Sequence, residues 1–200
     1  EEVIRVKGGE SRSIRVRETR WGPVIEADAA GGPTVWRWVA HRPRALASGA
    51  LLDFEIAPSV EAALVIAPRV GIPAQNLVVG DRAGNIGWTV MGPIPARPAG
   101  SAPRVPLSWR EAAPGWSGWL PAAEYPKVIN PDSGRIVTAN NRVAGAPGLA
   151  VLGWGGYDLG ARAGQIGDGL DRRDKLAPQD ILAIQLDDRA VLMARWRSLA

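Results

Sequence analysis

The residue types that ordinarily carry catalysis are sparse in this chain. It holds a single histidine, His41, and no cysteine. That excludes a cysteine nucleophile, a thiolate metal site and a disulfide framework, and it excludes a multi-histidine zinc site. A serine triad would have to use His41, and no serine stands in a recognisable relation to it, so His41 reads as structural. Asp187 and Asp188 are adjacent on a predicted helix. Neighbouring helical positions point to different sides, so the pair reads as a solvated face and not as an acid–base dyad. The run Gly155-Gly156-Tyr157-Asp158-Leu159-Gly160 is glycine-rich but lacks the Lys-Ser/Thr of a phosphate cradle. No Gly-x-Ser-x-Gly elbow occurs. Asn140-Asn141 closes a strand-like stretch and, taken alone, reads as a turn.

Charge and composition narrow the classes further. The chain has 200 residues, with 24 Lys+Arg against 20 Asp+Glu. The basic residues are mostly arginine and are spread along the chain. Arg12, Arg15, Arg17 and Arg20 come closest to a basic stripe, but their spacing suits the wet face of a strand, so nucleic acid is not an expected partner. No run approaches the roughly 18–20 apolar residues that would span a bilayer, so no membrane partner is expected. The first residues, Glu1-Glu2-Val3-Ile4, enter a strand pattern directly, and the last predicted helix stops at Ala200 without a cap. Both ends therefore read as cut from something larger, an internal piece forming a single partial domain over residues 1–200.

The elements that must position any chemistry fall into three stretches. Residues 1–40 alternate with period 2. A hairpin is expected around Gly8-Gly9, a strand at Trp21-Gly22-Pro23-Val24-Ile25, and another over residues 34–40. Residues 45–70 turn helical, with Ser59 as a helix cap and Glu61 in the first turn. Residues 76–79 and 86–90 read as paired strands about an Asp81-to-Asn85 turn. Residues 93–134 are rich in Pro, Gly and Trp and read as a long wrapping segment. Residues 135–139 are strand-like. Pro178 suits the first turn of a helix that the apolar spacing predicts over residues 179–199.

One pattern in this middle region is specific. Gln75-Asn76, Asp81, Gly84-Asn85-Ile86-Gly87-Trp88 and Gly92-x-Ile94-Pro95-x-Arg97 follow one another in order. Then come Gly115-Trp116-x-Gly118-x-Leu120-Pro121, Glu124-x-Pro126-x-Val128-x-Asn130-Pro131 and Gly134-Arg135-Ile136-Val137-Thr138-Ala139-Asn140-Asn141-Arg142. Arg20-Trp21-Gly22-Pro23-Val24 precedes them and Ile184-Gln185-x-Asp187 follows. In order and spacing these blocks resemble the penicillin acylase family over nearly the whole chain.

The resemblance implies an α+β chain, part of a four-layer αββα sandwich of antiparallel strands and flanking helices. It implies an amidohydrolase whose nucleophile is the serine at a processed N-terminus, with its own α-amino group as base. No cofactor is implied. It also assigns two residues here: Asn140 as the side-chain donor to the oxyanion, and Arg162, twenty-two positions later, as the residue that organises Asn140 and the nucleophile's amino group. The departures are as informative. The serine belongs to a segment preceding this one, and Glu1 cannot replace it, so these 200 residues are expected to be inactive alone. Trp21 stands where many relatives have histidine, and Gln165 where a charged residue is common. Some relatives hold a structural calcium near positions 103 and 151. Residues 150–152 are Ala-Val-Leu here, which makes calcium doubtful. The partners implied are the remainder of the chain's own precursor and a small acyl amide, with self-association of this piece. An exported, periplasmic or secreted, location is implied. A noncatalytic binding or scaffold domain of the same fold is the alternative, and a propeller module lacks the necessary repeat.

Overall fold

The computed structural model describes residues 1–27, 32–46, 48–97, 115–153 and 155–199, without the side chains of residues 26, 27 and 195. The N-terminal alternation forms its hairpin: β1 (Glu2–Ile4) pairs antiparallel with β2 (Arg12–Ile14), Glu2 opposite Ile14. Next come β3 (Glu18–Thr19), β4 (Gly22–Ala27) and β5 (Pro33–Val35), a three-stranded antiparallel sheet with β4 in the middle. The Thr19 hydroxyl donates to the Gly22 carbonyl at 2.9 Å and accepts from the Trp21 N–H at 3.2 Å, which closes the turn. The strand expected over residues 34–40 is shorter than its pattern. It ends at Val35, and Val39–His41 form a 3-10 turn in which the Arg42 N–H reaches the Val39 carbonyl at 2.9 Å. Trp36 and Trp38 still alternate as in a strand, and their rings stack 5.5 Å apart.

The helical stretch is 3-10 over Gly49–Ile56, then α1 (Val60–Ile66), which passes into a short 3-10 turn. Ser59 caps α1 as its sequence predicts, its hydroxyl oxygen accepting from the Ala62 N–H at 3.3 Å. Val60, Ala63, Leu64 and Ile66 turn inward. They lie against the central hairpin, β6 (Gln75–Gly80) and β7 (Ile86–Met91), which pairs in register from Gln75 opposite Met91 to Gly80 opposite Ile86. The turn is built on Asp81. Its Oδ1 accepts from the N–H groups of Ala83 and Asn85 at 2.9 and 3.0 Å, and its Oδ2 accepts from the Val60 N–H at 3.3 Å. One carboxylate thus joins the hairpin to the start of α1. The Asn85 side chain, more than any other contact, holds the Asp81 carboxyl below the usual carboxylate range.

β7 carries the core. Trp88 is 2% exposed and packs with Val90, Ile94, Leu120 and Tyr125. Full burial of each of its aliphatic members, Val90, Ile94 and Leu120, contributes about 1.5–3 kcal/mol. Polar atoms that enter this core are matched. Trp88 Nε1 donates to Asn76 Oδ1 at 2.8 Å. The Tyr125 hydroxyl donates to the Gly92 carbonyl at 2.9 Å and accepts from the Ile94 N–H at 3.1 Å, and burial raises its pKa.

The wrapping segment holds more regular structure than its composition suggests, while residues 98–114 lie outside the described residues. β8 (Pro95–Ala96) pairs with β9 (Gly118–Trp119), and β10 (Lys127–Ile129) adds to the far side of β7, giving the order β10-β7-β6. Asn130 fastens this edge, accepting from the Ile86 N–H and donating to Asn85 Oδ1, both at 2.9 Å. Residues 135–139 join no ladder among the described residues, so the expected strand is not formed there. A strand exists only through a partner's hydrogen bonds.

Helices close the chain: α2 (Ala146–Leu152), α3 (Ala161–Leu170), α4 (Pro178–Gln185) and α5 (Val191–Arg197). Pro178 opens α4 as expected. α3 and α4 meet at Gly169, where a Cβ would lie 2.8 Å from Ile184 Cγ1. The single helix expected over residues 179–199 is instead two, broken around Asp187. That carboxylate takes both Nε and Nη2 of Arg189 at 2.7 Å and accepts the Arg189 N–H at 3.3 Å. A local side-chain acceptor of this kind competes with the helical ladder. Asp187 is therefore not the solvated helix-face carboxylate that the sequence suggests: its side chain is 18% exposed and bound. The class is α+β, with every ladder among the described residues antiparallel. No helix among the described residues is long and apolar enough to cross a membrane.

Candidate active site

Residues 135–139 deliver the chain to a sharp turn. Asn141 Oδ1 accepts from the Ala139 N–H at 2.8 Å, which bends the backbone. Asn140 sits at the bend in the left-handed region, φ 64°, a conformation that asparagine tolerates better than other side-chain-bearing residues. From the other direction, Asp158 donates its N–H to the Asn140 carbonyl at 2.9 Å. Two residues later Gly160, φ 88°, starts α3, and its N–H is received by Asp158 Oδ1 at 3.0 Å. Arg162 lies in the first turn of α3, four positions after Asp158.

The structure brings the two sequence-assigned residues together. Arg162 Nη2 donates to Asn140 Oδ1 at 2.8 Å and to the Ala139 carbonyl at 2.9 Å. The same nitrogen reaches Asp158 Oδ2 at 3.3 Å. A guanidinium has donors only, so the Asn140 atom that faces it is the amide oxygen. The amide nitrogen is then the group Asn140 has left to offer, and among the described residues it makes no hydrogen bond. Asn140 borders a cleft of about 730 Å³ that Asn76, Trp88, Tyr157, Arg162 and Ile166 also line. The arrangement supplies a hydrogen-bond donor on a residue that borders the cleft. Such a donor can stabilise an oxygen that gains negative charge.

Asp158 is the member that the sequence analysis did not single out. Its carboxyl is held below the ordinary carboxylate range, first by the Gly160 N–H and then by Arg162. The signal available was faint, an aspartate two residues before a glycine in a glycine-rich run. His41 packs edge-on against Trp38 with ring centres 5.5 Å apart, in keeping with a structural reading. For calcium, position 103 lies outside the described residues. At position 151 stands Val151, whose side chain offers no carboxylate. Among the described residues no three His, Cys, Asp or Glu side chains gather into a metal site.

The comparisons with known proteins agree with one another. The penicillin amidase family model matches residues 1–199. Penicillin acylase 2 proenzyme of Pseudomonas sp. (strain SE83) is 37% identical over 141 residues, covering 70% of this chain and 18% of that protein. The acyl-homoserine lactone acylase QuiP of Pseudomonas syringae pv. syringae (strain B728a) is 26% identical over 204 residues, covering 100% of this chain and 24% of its own length. The chain thus spans a quarter or less of these relatives. A thermostable penicillin G acylase from Alcaligenes faecalis superposes with a TM-score of 0.66 at 26% identity, over 92% of this chain and 33% of that one. The likeness assigns the α+β class to the N-terminal-nucleophile acylase fold. On the family match and the fold together, the chain belongs to the penicillin amidase family.

Proposed function

We propose that these residues are one segment of an amidohydrolase that cleaves an acyl-amide bond, and that Asn140 is a donor of its oxyanion hole. The observation that carries the proposal is the Arg162 hydrogen bond to Asn140 Oδ1, which leaves the amide nitrogen as the donor at the cleft. In this reading the nucleophile is an N-terminal serine outside the 200 residues, activated by its own α-amino group. The serine oxygen bonds to the acyl carbon as its proton passes to the α-amino group, which becomes an ammonium, and the carbonyl π electrons move onto oxygen. Asn140 Nδ2 donates to that oxyanion. The C–N bond then breaks, the amine leaves with a proton from the ammonium, and water hydrolyses the acyl-enzyme. Arg162 holds the amide in orientation, and its positive charge beside the site favours the negative intermediate. The base is the nucleophile's amino group and the stabilising donors are amides, so the chemistry calls for no cofactor. The remainder of the precursor is the partner, and export from the cytoplasm is part of the same reading.

The test uses the whole precursor that carries this segment, with a chromogenic phenylacetyl amide and a long-chain acyl-homoserine lactone as substrates. Hydrolysis is expected from the precursor and not from the 200 residues alone. Asn140→Ala is expected to lower kcat about 10²–10³-fold with little change in KM, the magnitude for loss of one oxyanion donor. A precursor with normal folding and no hydrolysis of either substrate would favour a noncatalytic binding or scaffold protein of the same fold.

A further inference from the structure

We infer that Asp158 is a positioning residue for the Asn140–Arg162 pair, holding both partners so that only the amide nitrogen of Asn140 is presented to the cleft. The inference rests on the proposed oxyanion role of Asn140. Its basis is a set of three contacts that converge on one residue. The Asp158 N–H fixes the Asn140 carbonyl at 2.9 Å, which holds the main chain of the bend. Asp158 Oδ1 takes the Gly160 N–H at 3.0 Å, which seats the carboxylate at the start of α3. Asp158 Oδ2 meets Arg162 Nη2 at 3.3 Å, the same nitrogen that holds Asn140 Oδ1.

The need for such a residue follows from exposure. The Arg162 side chain is 59% exposed and that of Asp158 only 30%. A long, wet arginine ordinarily samples many rotamers, and an isolated surface ion pair does little to stop it. Here the acceptor is itself immobilised by the Gly160 N–H, so Arg162 is held on a fixed carboxylate and a fixed carbonyl. Without Asp158, Arg162 Nη2 keeps two neutral acceptors and loses its charged one. The Asn140 amide is then freer to turn its oxygen to the cleft, where it would repel an oxyanion.

Three variants of the whole precursor test this. Asp158→Ser keeps a short side-chain oxygen for the Gly160 N–H and removes the carboxylate charge that faces Arg162. Asp158→Asn does the same in an isosteric form and serves if the serine variant does not fold. Asp158→Ala removes both. All three are expected to lower kcat per titrated active site about tenfold, with KM within about twofold, because misorientation of a fixed group acts on the transition state. The loss from Asp158→Ser is expected to vanish in an Arg162→Ala background, since a residue that acts through another is non-additive with it. A wild-type kcat for Asp158→Ser and Asp158→Asn overturns the inference. So does a loss that persists undiminished in the Arg162→Ala background, which would assign Asp158 to the helix start alone. If Asn140→Ala keeps full activity, the oxyanion reading fails and this inference falls with it. If Asn140→Ala is inactive while Asp158→Ser and Asp158→Asn are normal, only the role of Asp158 is refuted.

Discussion

Asn140 meets two demands at once, one on its backbone and one on its amide, and substitutions can separate them. Its φ of 64° suits glycine and asparagine and strains alanine by roughly 1–2 kcal/mol. In the isolated chain, Asn140→Gly is therefore expected to unfold at nearly the same denaturant midpoint as the parent. Asn140→Ala is expected to be about 1 kcal/mol less stable than the glycine variant. In the precursor both should lose activity, because both lack the amide. Equal stability of the alanine and glycine variants would mean that the bend does not impose the left-handed conformation. The pair at the centre of the site was legible in the sequence only through the family resemblance of its flanking blocks. Asn140-Asn141 without them is a turn like any other. Asp158 was barely legible, because its local contacts to residues 160 and 162 are common ones and the contact that ties it to the site runs to residue 140.

At the scale of elements, the weight falls on β7, which has a strand on either side and α1 across its face. The approach of α1 depends on Gly87. A Cβ there would lie 2.5 Å from Val60 Cγ1, with Leu64 Cδ1 and Val79 Cγ2 at 3.5 Å. Val60 is 1% exposed, and a β-branched side chain has little freedom to turn away. Gly87→Ala is therefore expected to cost about 1–3 kcal/mol by overpacking, read by denaturant unfolding. A neutral result would mean that α1 shifts off the sheet without loss. The elements that the sequence revealed are those with strong local signals: the turn chemistry of residues 81–85, the Ser59 cap, the first hairpin. Those it missed depend on distant partners. β10 has only three residues between Pro126 and Pro131, and it is a strand because β7 lies beside it. Residues 135–139 have the composition of a strand and no ladder among the described residues. The last helix breaks because Asp187 binds Arg189, a choice that an apolar period cannot register.

At the scale of the whole molecule, exposed area is the governing quantity. The chain exposes 14415 Å², whereas a compact monomer of its 21.2 kDa mass would expose roughly 9,100 Å². The excess is partly apolar. Ile4, Ile14, Trp36, Trp38, Leu182 and Trp196 are each between 45% and 63% exposed. An apolar surface of this extent is stabilised by contact with another surface. The relatives are four or more times longer than the part they share with this chain, so the remainder of the precursor is the proposed cover. Alone, the 200 residues are expected to bind an apolar dye and to sediment as a concentration-dependent mixture of species. When the segment forms part of the precursor, the dye signal per mole of segment is expected to fall several-fold, because the faces that bind the dye are then packed. Trp36→Ser with Trp38→Ser in the isolated chain should reduce both dye binding and association, since two stacked rings leave the exposed surface together. A monomer that binds no dye at any concentration would show that these faces are satisfied within the segment, and the remainder of the precursor would not be needed to cover them.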